Sequence, residues 1–313
     1  MIGAILAGGF GKRLKSFSQD TPKGLIQISN GLTILHRQIF DFSVIGIREA
    51  YILSGHLGEK IEQAFGSEYL GVRINYLREE KPMGTLFSMR NLLSVRGDED
   101  ILLRNGDTIS DLNYREFVRY SMSLNHDMVM CVVKMRSPFG IVEFSGTTVT
   151  SFIEKPLLDY YINAGIYYIK RKSFDYFRRS YPEKDLEKSA FPEIVKGGNM
   201  GIYREDAFWI GIDSEKEVES ARKEYEGRTD FDWGYTRKQR NEGRVSVTEI
   251  YVKGGERSSM KSGSGSVLRI ERGTCIVSGE EKTNCSEGST VAVGPKFTLE
   301  AVGNVKALLI ETT

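Results

Sequence analysis

The sequence predicts an α/β fold with a mostly parallel, Rossmann-like sheet, followed by a small all-β domain. Apolar runs of strand length alternate with helix-period segments up to about residue 225, and a glycine-rich turn directly follows the first run. Beyond residue 243 the helical period is replaced by short strand-like runs between Gly- and Ser-rich turns. Alternation at this spacing is typical of βαβ units, and 313 residues suffice for two domains.

In the first part of the chain, five apolar runs predict strands and the segments between them predict helices. The strands are expected at 2–6, 49–53, 73–76, 101–103 and 128–133, and the helices near 33–45, 57–65, 85–95 and 114–124. In such sheets ligands bind outside the carboxyl ends of the strands. The polar motifs of this chain follow the ends of predicted strands.

Between residues 138 and 170 the pattern changes to strands without helices. Runs at 141–144 and 149–153, joined by Ser-Gly-Thr, predict a hairpin, and 166–169 predicts a further strand. We expect this hairpin to form a lid over the sheet.

The remaining residues divide at a polar stretch. Residues 1–228 are expected to form the α/β domain, 229–243 a linker, and 244–313 a β-barrel or sandwich.

Composition argues against several classes of partner. The formal net charge is +1, from 43 basic and 42 acidic residues, which disfavours nucleic acid and anionic membranes as partners. No apolar stretch approaches the roughly 20 residues that cross a bilayer. The three cysteines lack metal-ligand spacing, which indicates a reducing compartment. A cytoplasmic location is therefore expected.

The segment GGFGKR (residues 8–13) follows the first predicted strand. Glycines let backbone N–H groups approach an anion closely, and two cations in the same turn indicate a polyphosphate ligand. The segment is not the dinucleotide fingerprint, because Leu14 stands where the third glycine is due, nor a Walker A loop, because Arg13 follows Lys12. The alternative is a tight turn with surface cations.

Two further motifs supply charged groups at the same edge. In TPKG, Lys23 follows a stiffening proline and is suited to contacting phosphates, although a surface lysine is the alternative. In NGDT, Asp107 follows a buried strand, and Mg²⁺ is usually held by one or two carboxylates plus substrate phosphates. An Asp that caps a turn is the alternative for Asp107.

Three weaker motifs complete the candidate site. In EKPMGT, Gly84 permits close approach of a flat ligand such as a base, and Thr85 is a predicted N-cap. The predicted lid carries Glu154, Lys155 and Asn163, whose side chains suit sugar hydroxyls and a phosphate.

Taken together, residues 1–225 resemble the sugar-1-phosphate nucleotidyltransferases, which make nucleotide sugars from an NTP and a sugar 1-phosphate. Seven segments carry the resemblance in the family's order: LAGGFGKRL, TPKG, EKPMGT, NGDT, FGIVEF, FIEKP and NAGIYYI. The PMGT and NGDT versions are most similar to mannose-1-phosphate and heptose-1-phosphate guanylyltransferases, so the resemblance favours GTP.

The resemblance also implies roles for individual residues. Nucleotide binding is implied for Leu6, Ala7, Gly8, Gly9, Gly11, Lys12, Gly84 and Thr85, and catalysis for Arg13, Lys23 and Asp107. Sugar-phosphate binding is implied for Gly140, Glu154, Lys155 and Asn163, and Mg²⁺ binding for Asp107.

The implied reaction needs no general base, since a phosphate monoester with a second pKa near 6 is largely dianionic at neutral pH. Its oxygen attacks the α-phosphorus in line, and pyrophosphate leaves. The expected contributions of the protein are positioning and charge neutralisation. Arg13 is expected to stabilise pyrophosphate and Lys23 the α-phosphate.

One departure from the family pattern concerns the metal site. The family ends its catalytic domain with a Trp-x-Asp-x-Gly-Thr-like stretch, whereas this chain has Gly211 at the Asp position and Asp213 two residues later. Residues two apart on a strand are separated by roughly 6.5 Å. Either a backbone shift brings Asp213 to the metal, or the site keeps one carboxylate.

The tail resembles a cupin, a jelly-roll fold, in the segments VKGGERSSM, IERGTCIVSG and EEKTNCSEGSTVAVGP. The three histidines, His36, His56 and His126, all precede it, so a metal site in the tail is not expected. A metal-free β domain favours self-association, and a homo-oligomer is expected.

The sequence also bears on two other functional classes. A non-catalytic sugar-nucleotide sensor is favoured by Gly211 and opposed by the presence of Arg13, Lys23 and Asp107. A Rossmann-type dehydrogenase is disfavoured because its fingerprint is missing.

Overall fold

The structure, a computed structural model, describes residues 1–9, 14, 20–242, 245–279 and 281–312. The chain divides into two compact units. The first comprises Met1–Ile26, Ile34–Ser110 and Phe117–Asp213, and the second Gln27–Thr33, Asp111–Glu116 and Ser214–Thr313.

Up to residue 213 the described residues form short strands and helices in alternation. The strands are β1 (Ile2–Ala7), β2 (Gln27–Ser29), β3 (Leu32–Thr33), β4 (Glu49–Ser54), β5 (Glu68–Tyr69), β6 (Val72–Arg78), β7 (Ile101–Asn105), β8 (Thr108–Ser110), β9 (Met128–Arg136), β10 (Ile141–Ser145), β11 (Thr148–Ile153), β12 (Leu157–Ile169), β13 (Met200–Glu205) and β14 (Trp209–Gly211). The helices are α1 (Ile34–Val44), α2 (Gly58–Phe65), α3 (Thr85–Val95), α4 (Tyr114–Ser123), α5 (Phe174–Arg178) and α6 (Ala190–Lys196), with 3₁₀ turns at Lys23–Leu25, Arg171–Ser173 and Leu186–Lys188.

The first unit is built on an eight-stranded sheet in the order β13-β9-β12-β7-β1-β4-β6-β5. Strands β7, β1, β4 and β6 run parallel, as do β13 and β9, whereas β12 is antiparallel to both of its neighbours. Buried apolar side chains of β1, β4, β7, α3 and α6 share one core. The predicted α/β class is confirmed, because apolar runs buried on both faces form central parallel strands.

Two short pairings flank this sheet and bear on the site. Strand β14 pairs antiparallel with β8, opposite Thr108–Ser110. Strands β10 and β11 form the predicted hairpin as a separate two-stranded sheet.

The second unit contains an all-β region in which two antiparallel sheets share one apolar core. After α7 (Glu215–Tyr225), its strands are β15 (Arg228–Phe231), β16 (Gly234–Glu242), β17 (Val245–Val252), β18 (Arg257–Lys261), β19 (Ser266–Arg272), β20 (Thr274–Ser278), β21 (Lys282–Ser286), β22 (Thr290–Val293), β23 (Lys296–Ala301) and β24 (Val305–Thr312). The sheet orders are β15-β16-β17-β24-β19-β22 and β18-β23-β20-β21. Side chains of both sheets, including Leu268, Val277 and Leu299, fill the interior.

The structure corrects the expected linker at 229–243, since most of these residues form β15 and β16 of the six-stranded sheet. The hydrophobic alternation of a strand is hidden because β16 places polar side chains on the face opposite the apolar core, where Glu249 of β17 alternates with the core residue Ile250. The Tyr235 hydroxyl and the Gln239 amide both donate to the buried carboxylate of Glu249, at 3.0 and 2.7 Å. The other domain boundaries stay predictions.

Helix α7 begins with a capping box between Ser214 and Glu217. The three cysteines are buried free thiols. Within the described residues, no helix is long and apolar enough to cross a membrane.

Candidate active site

A cavity of about 350 Å³ opens at the carboxyl ends of β1 and β7, within the first unit. The end of β1, the β7–β8 turn, the start of α3 and the 3₁₀ turns at Lys23–Leu25 and Leu186–Lys188 surround it. Its lining residues are Leu6, Ala7, Gly8, Gly9, Lys23, Gly24, Glu79, Pro82, Gly84, Thr85, Ser88, Asn105, Gly106, Asp107, Asp185 and Glu187. The structure thus brings together most residues predicted to bind the nucleotide. Gly11, Lys12 and Arg13 lie outside the described residues.

The β7–β8 turn holds Asp107 at the cavity through contacts on both sides. The Gly106 N–H donates to the carbonyl of Leu6 at 2.9 Å, and a Cβ at Gly106 would lie 2.6 Å from that oxygen. From α1, the buried Gln38 amide donates to the carbonyls of Asn105 and Thr108, both at 2.8 Å. Because glycine alone permits so close an approach to β1, the NGD sequence fixes the direction in which Asp107 leaves the sheet.

The ammonium of Lys23 lies between two carboxylates. Its Nζ is 2.8 Å from Asp107 Oδ2 and 2.8 Å from Asp213 Oδ1. The two carboxylate oxygens are therefore separated by no more than twice that distance. This Lys23–Asp107–Asp213 cluster places both candidate metal ligands around one cation.

Asp213 reaches this position through the pairing of β14 with β8. Gly211 is opposite Thr108, and the N–H of Ile212 donates to the carbonyl of Asp107 at 2.8 Å. The chain at 212–213 therefore runs directly beside Asp107. At Gly211, by contrast, a Cβ would lie 3.3 Å from the Trp209 ring. Of the two alternatives left by the sequence, this geometry favours the one in which Asp213 joins Asp107.

The opposite wall is formed where the start of α3 packs against residues 184–186. Gly84 has φ +90°, and a Cβ there would lie 2.5 Å from the carbonyl oxygen of Lys184, so the position requires glycine. Gly84, rather than Thr85, is the N-cap. Instead, Thr85 Oγ1 accepts a hydrogen bond from the N–H of Leu186 at 2.9 Å, which joins the two segments.

This wall carries carboxylates that the sequence reasoning missed. Glu79 accepts hydrogen bonds from the Met83 N–H, at 3.1 Å, and from Ser88 Oγ. Asp185 and Glu187 also line the cavity. Glu79 precedes the EKPMGT motif by one residue, so its place beside that motif was a usable signal. The charged stretch 183–188 resembles an exposed helix end, so the sequence contains no signal that Asp185 and Glu187 line the cavity.

Asn163 is a residue of β12 and lies next to the cavity. Its amide Nδ2 donates to the buried Tyr167 hydroxyl at 2.7 Å, and its Oδ1 accepts from the Gly165 N–H at 2.9 Å. Burial raises the pKa of Tyr167, so the phenol stays protonated. The ideal Cβ position of Gly165 lies 2.8 Å from the amide of Asn105, which lines the cavity.

The other predicted sugar-phosphate residues form a separate cluster at the base of the β10–β11 hairpin. Lys155 Nζ is 3.0 Å from Glu154 Oε1, and both side chains are substantially exposed. A Cβ at Gly140 would lie 3.0 Å from Glu154 Oε2. None of these three residues lines the cavity.

The carboxylates of the cluster suit a hard divalent cation only when a bound substrate and water supply further ligands. Among the described residues, no three His, Cys, Asp or Glu side chains form a metal-binding group. Asp107 and Asp213 already surround one positive charge, that of Lys23. Two carboxylates with substrate phosphates and water are an ordinary Mg²⁺ coordination set, so the residues fit this ion.

A glycine-lined cavity and a Lys–Asp–Asp cluster at the carboxyl edge of an α/β sheet are typical of proteins that bind phosphorylated ligands. Residues 2–226 match the sequence model of the family described as nucleotidyl transferase, and the chain belongs to this family.

The curated relatives include guanylyltransferases. D-glycero-alpha-D-manno-heptose 1-phosphate guanylyltransferase of Aneurinibacillus thermoaerophilus is 27% identical over 235 residues, covering 72% of this chain and 98% of that protein. The catalytic subunit beta of mannose-1-phosphate guanylyltransferase from Xenopus tropicalis is 27% identical over 228 residues, and the match spans only 62% of its length. Among solved structures, HddC of Yersinia pseudotuberculosis shares the fold, with a TM-score of 0.57 and 24% identity over 72% of this chain and 100% of that one.

Proposed function

We propose that the chain transfers a guanylyl group from GTP to a hexose or heptose 1-phosphate, with mannose 1-phosphate and a manno-heptose 1-phosphate as the first candidates. The observation that carries this proposal is the Lys23–Asp107–Asp213 cluster at the cavity edge. Both curated relatives described above carry the word guanylyltransferase in their names, which supports the choice of reaction.

The choice of base is supported by the carboxylates of the cavity wall. The Watson–Crick edge of guanine presents N–H donors, including the exocyclic amine, and a carboxylate only accepts hydrogen bonds. Glu79 is held in place by Ser88 and by the Met83 N–H. The carboxylate lone pairs that these contacts leave unused can accept hydrogen bonds from the N–H groups of guanine. A uracil or thymine O4 in the same place is itself an acceptor and could not donate to Glu79.

In the proposed reaction, an oxygen of the sugar 1-phosphate attacks the α-phosphorus of GTP, and pyrophosphate leaves. The glycine turn after β1 binds the phosphates through backbone N–H groups. Lys23, released from its two carboxylates, neutralises charge on the α-phosphate, and Arg13 does so on the pyrophosphate. Gly140, Glu154, Lys155 and Asn163 orient the sugar phosphate.

Asp107 and Asp213 are the residues that would hold Mg²⁺. When bound, the ion neutralises phosphate oxygens and so lowers the charge that opposes attack. The carboxylates supply the fixed anionic contacts, and the remaining ligands come from substrate and water.

The test is pyrophosphate release with Mg²⁺, using four NTPs against mannose, glucose and heptose 1-phosphates. Release with GTP and a manno-configured sugar phosphate is expected, whereas release with another NTP alone would contradict the choice of base. Without release from any pair, a rise in melting temperature on adding GDP-sugars would identify the sensor considered above.

A further inference from the structure

The β10–β11 hairpin is a two-stranded sheet without further strands. Among the strands that the structure describes, β10 is hydrogen-bonded to β11 alone. Nearly every residue of both strands is exposed. An isolated two-stranded hairpin is marginally stable in water, so burial of this element against another surface would stabilise it.

The register of the hairpin collects its apolar side chains on one face. Val142 pairs with Phe152, Phe144 pairs with Val149, and a bulge after Glu143 leaves Thr150 unpaired. Directly paired residues point to the same face of a sheet, and alternate pairs share it. Val149 and Phe152 are three residues apart and would lie on opposite faces of a regular strand. The bulge places both on the same face. The resulting hairpin face consists of Val142, Phe144, Val149 and Phe152, whose exposed fractions range from 46% to 72%.

The hairpin face is an exposed, continuous apolar patch. Phe144 and Phe152 have 72% and 63% of their surface exposed, and together they expose roughly 200–350 Å², since an aromatic residue buries 150–250 Å². The exposed Val142 and Val149 enlarge this patch on the same face. Exposed apolar patches of a few hundred Å² mark surfaces that bind another molecule.

We propose that the hairpin face binds the same face of a second copy of this chain. A two-fold interface places identical residues together, so a charged face would repel itself. Within residues 139–153 the only charged side chain is Glu143, which pairs with Ser151 on the opposite face. The formal net charge of +1 likewise allows two copies to approach.

This contact bears on the sugar-phosphate residues, an extension that rests on the proposed function. Gly140 directly precedes β10 and Glu154 directly follows β11, so both lie at the base of the hairpin. A Cβ at Gly140 would lie 2.7 Å from the Phe152 ring. Covering Phe152 therefore restricts the hairpin base on which both residues sit. Association is expected to lower the KM for the sugar 1-phosphate and to leave that for GTP unchanged.

The test compares full-length wild type with Phe144→Asp and Phe144→Thr in sedimentation velocity over a wide concentration range. Wild type is expected to dimerise, and the aspartate variant to raise the dimer dissociation constant about tenfold or more, as for an interface hot spot. Threonine preserves strand propensity, so this variant tests the contact even where aspartate disrupts the hairpin. Met122→Thr, at another exposed apolar side chain, is the matched control and should dimerise like wild type.

Several outcomes would overturn the proposal. A wild type that stays monomeric excludes the second copy. Protection of the hairpin amides from hydrogen exchange in that monomer would then show that another part of the same chain covers the face. A dimer unaffected by both Phe144 variants would mean that the interface lies elsewhere. These measurements need no substrate, so they hold even where the proposed activity is not found. If the variants dissociate the dimer but leave the KM for the sugar 1-phosphate unchanged, the interface stands and only its effect on sugar-phosphate binding is refuted.

Discussion

The two parts of the candidate site are built in different ways. The cavity side is fixed from several directions, because Gln38 and Leu6 hold the turn of Asp107, and Lys23 joins Asp107 to Asp213. The hairpin side has Glu154 and Lys155 paired mainly with each other, at the base of a two-stranded sheet. In the proposed reaction, the phosphate chemistry would therefore take place at the sheet edge, and the sugar would be recognised by residues of the two-stranded hairpin base.

Because they are built differently, the two sides should respond differently to substitution. Changes on the cavity side should remove transition-state stabilisation and so lower kcat. Changes on the hairpin side should weaken binding of one substrate and so raise its KM.

The largest effect is expected for Asp107→Asn, which removes a carboxylate without changing side-chain size. We expect kcat/KM to fall about 10³-fold or more, because a preorganised charge at the reacting phosphates is lost. Steady-state pyrophosphate release measures this. Asp175→Asn, at a highly exposed carboxylate paired with Arg178, is the control. Full activity of Asp107→Asn would refute the metal assignment.

A somewhat smaller effect is expected for Lys23→Gln. The variant keeps a hydrogen-bond donor but loses the charge, so kcat should fall about 10²-fold with little change in either KM. The control is Lys172→Gln, at a lysine that pairs with Asp127 and is not among the residues lining the cavity. A change in KM alone would assign Lys23 to ground-state binding instead.

On the hairpin side, Glu154→Gln should raise the KM for the sugar 1-phosphate about tenfold, as expected for loss of one charged hydrogen bond. The KM for GTP should stay constant. Glu143→Gln removes a carboxylate from the same hairpin and should change neither constant. Equal increases in both KM values would contradict the division between the two sides.

The smallest effect is expected for Gly211→Asp, which adds a carboxylate at the family's usual position. Because Asp213 already lies beside Asp107, turnover should change by less than about threefold. The Trp209 ring needs to shift slightly to admit the new Cβ. A large gain in turnover would mean that Asp213 does not replace the missing ligand.

The sequence predicted the sheet well because its central strands are apolar on both faces. The first predicted run became Ile2–Ala7, and the helix predicted near 85–95 became Thr85–Val95. Strand β16 escaped prediction because its Tyr235 and Gln239 bind the buried Glu249 on the face opposite the apolar core.

The candidate site was predictable where a motif confines the backbone. Gly106 and Gly84 occupy positions that only glycine suits, so their motifs gave Asp107 and the cavity wall. Asp185 and Glu187 reach the cavity through a tertiary contact between Thr85 and Leu186, which no local pattern records. The joining of Asp213 to Lys23 likewise depends on the pairing of β14 with β8.

The position of Lys23 between two carboxylates implies an order in which ligands arrive. The lysine is a tethered counter-ion, and a bare divalent cation would compete with it for the same oxygens. A nucleotide that carries its cation offers the displaced ammonium a new anionic partner, so the exchange conserves charge pairing. We therefore expect the free protein to bind the metal–nucleotide complex far more readily than the ion alone.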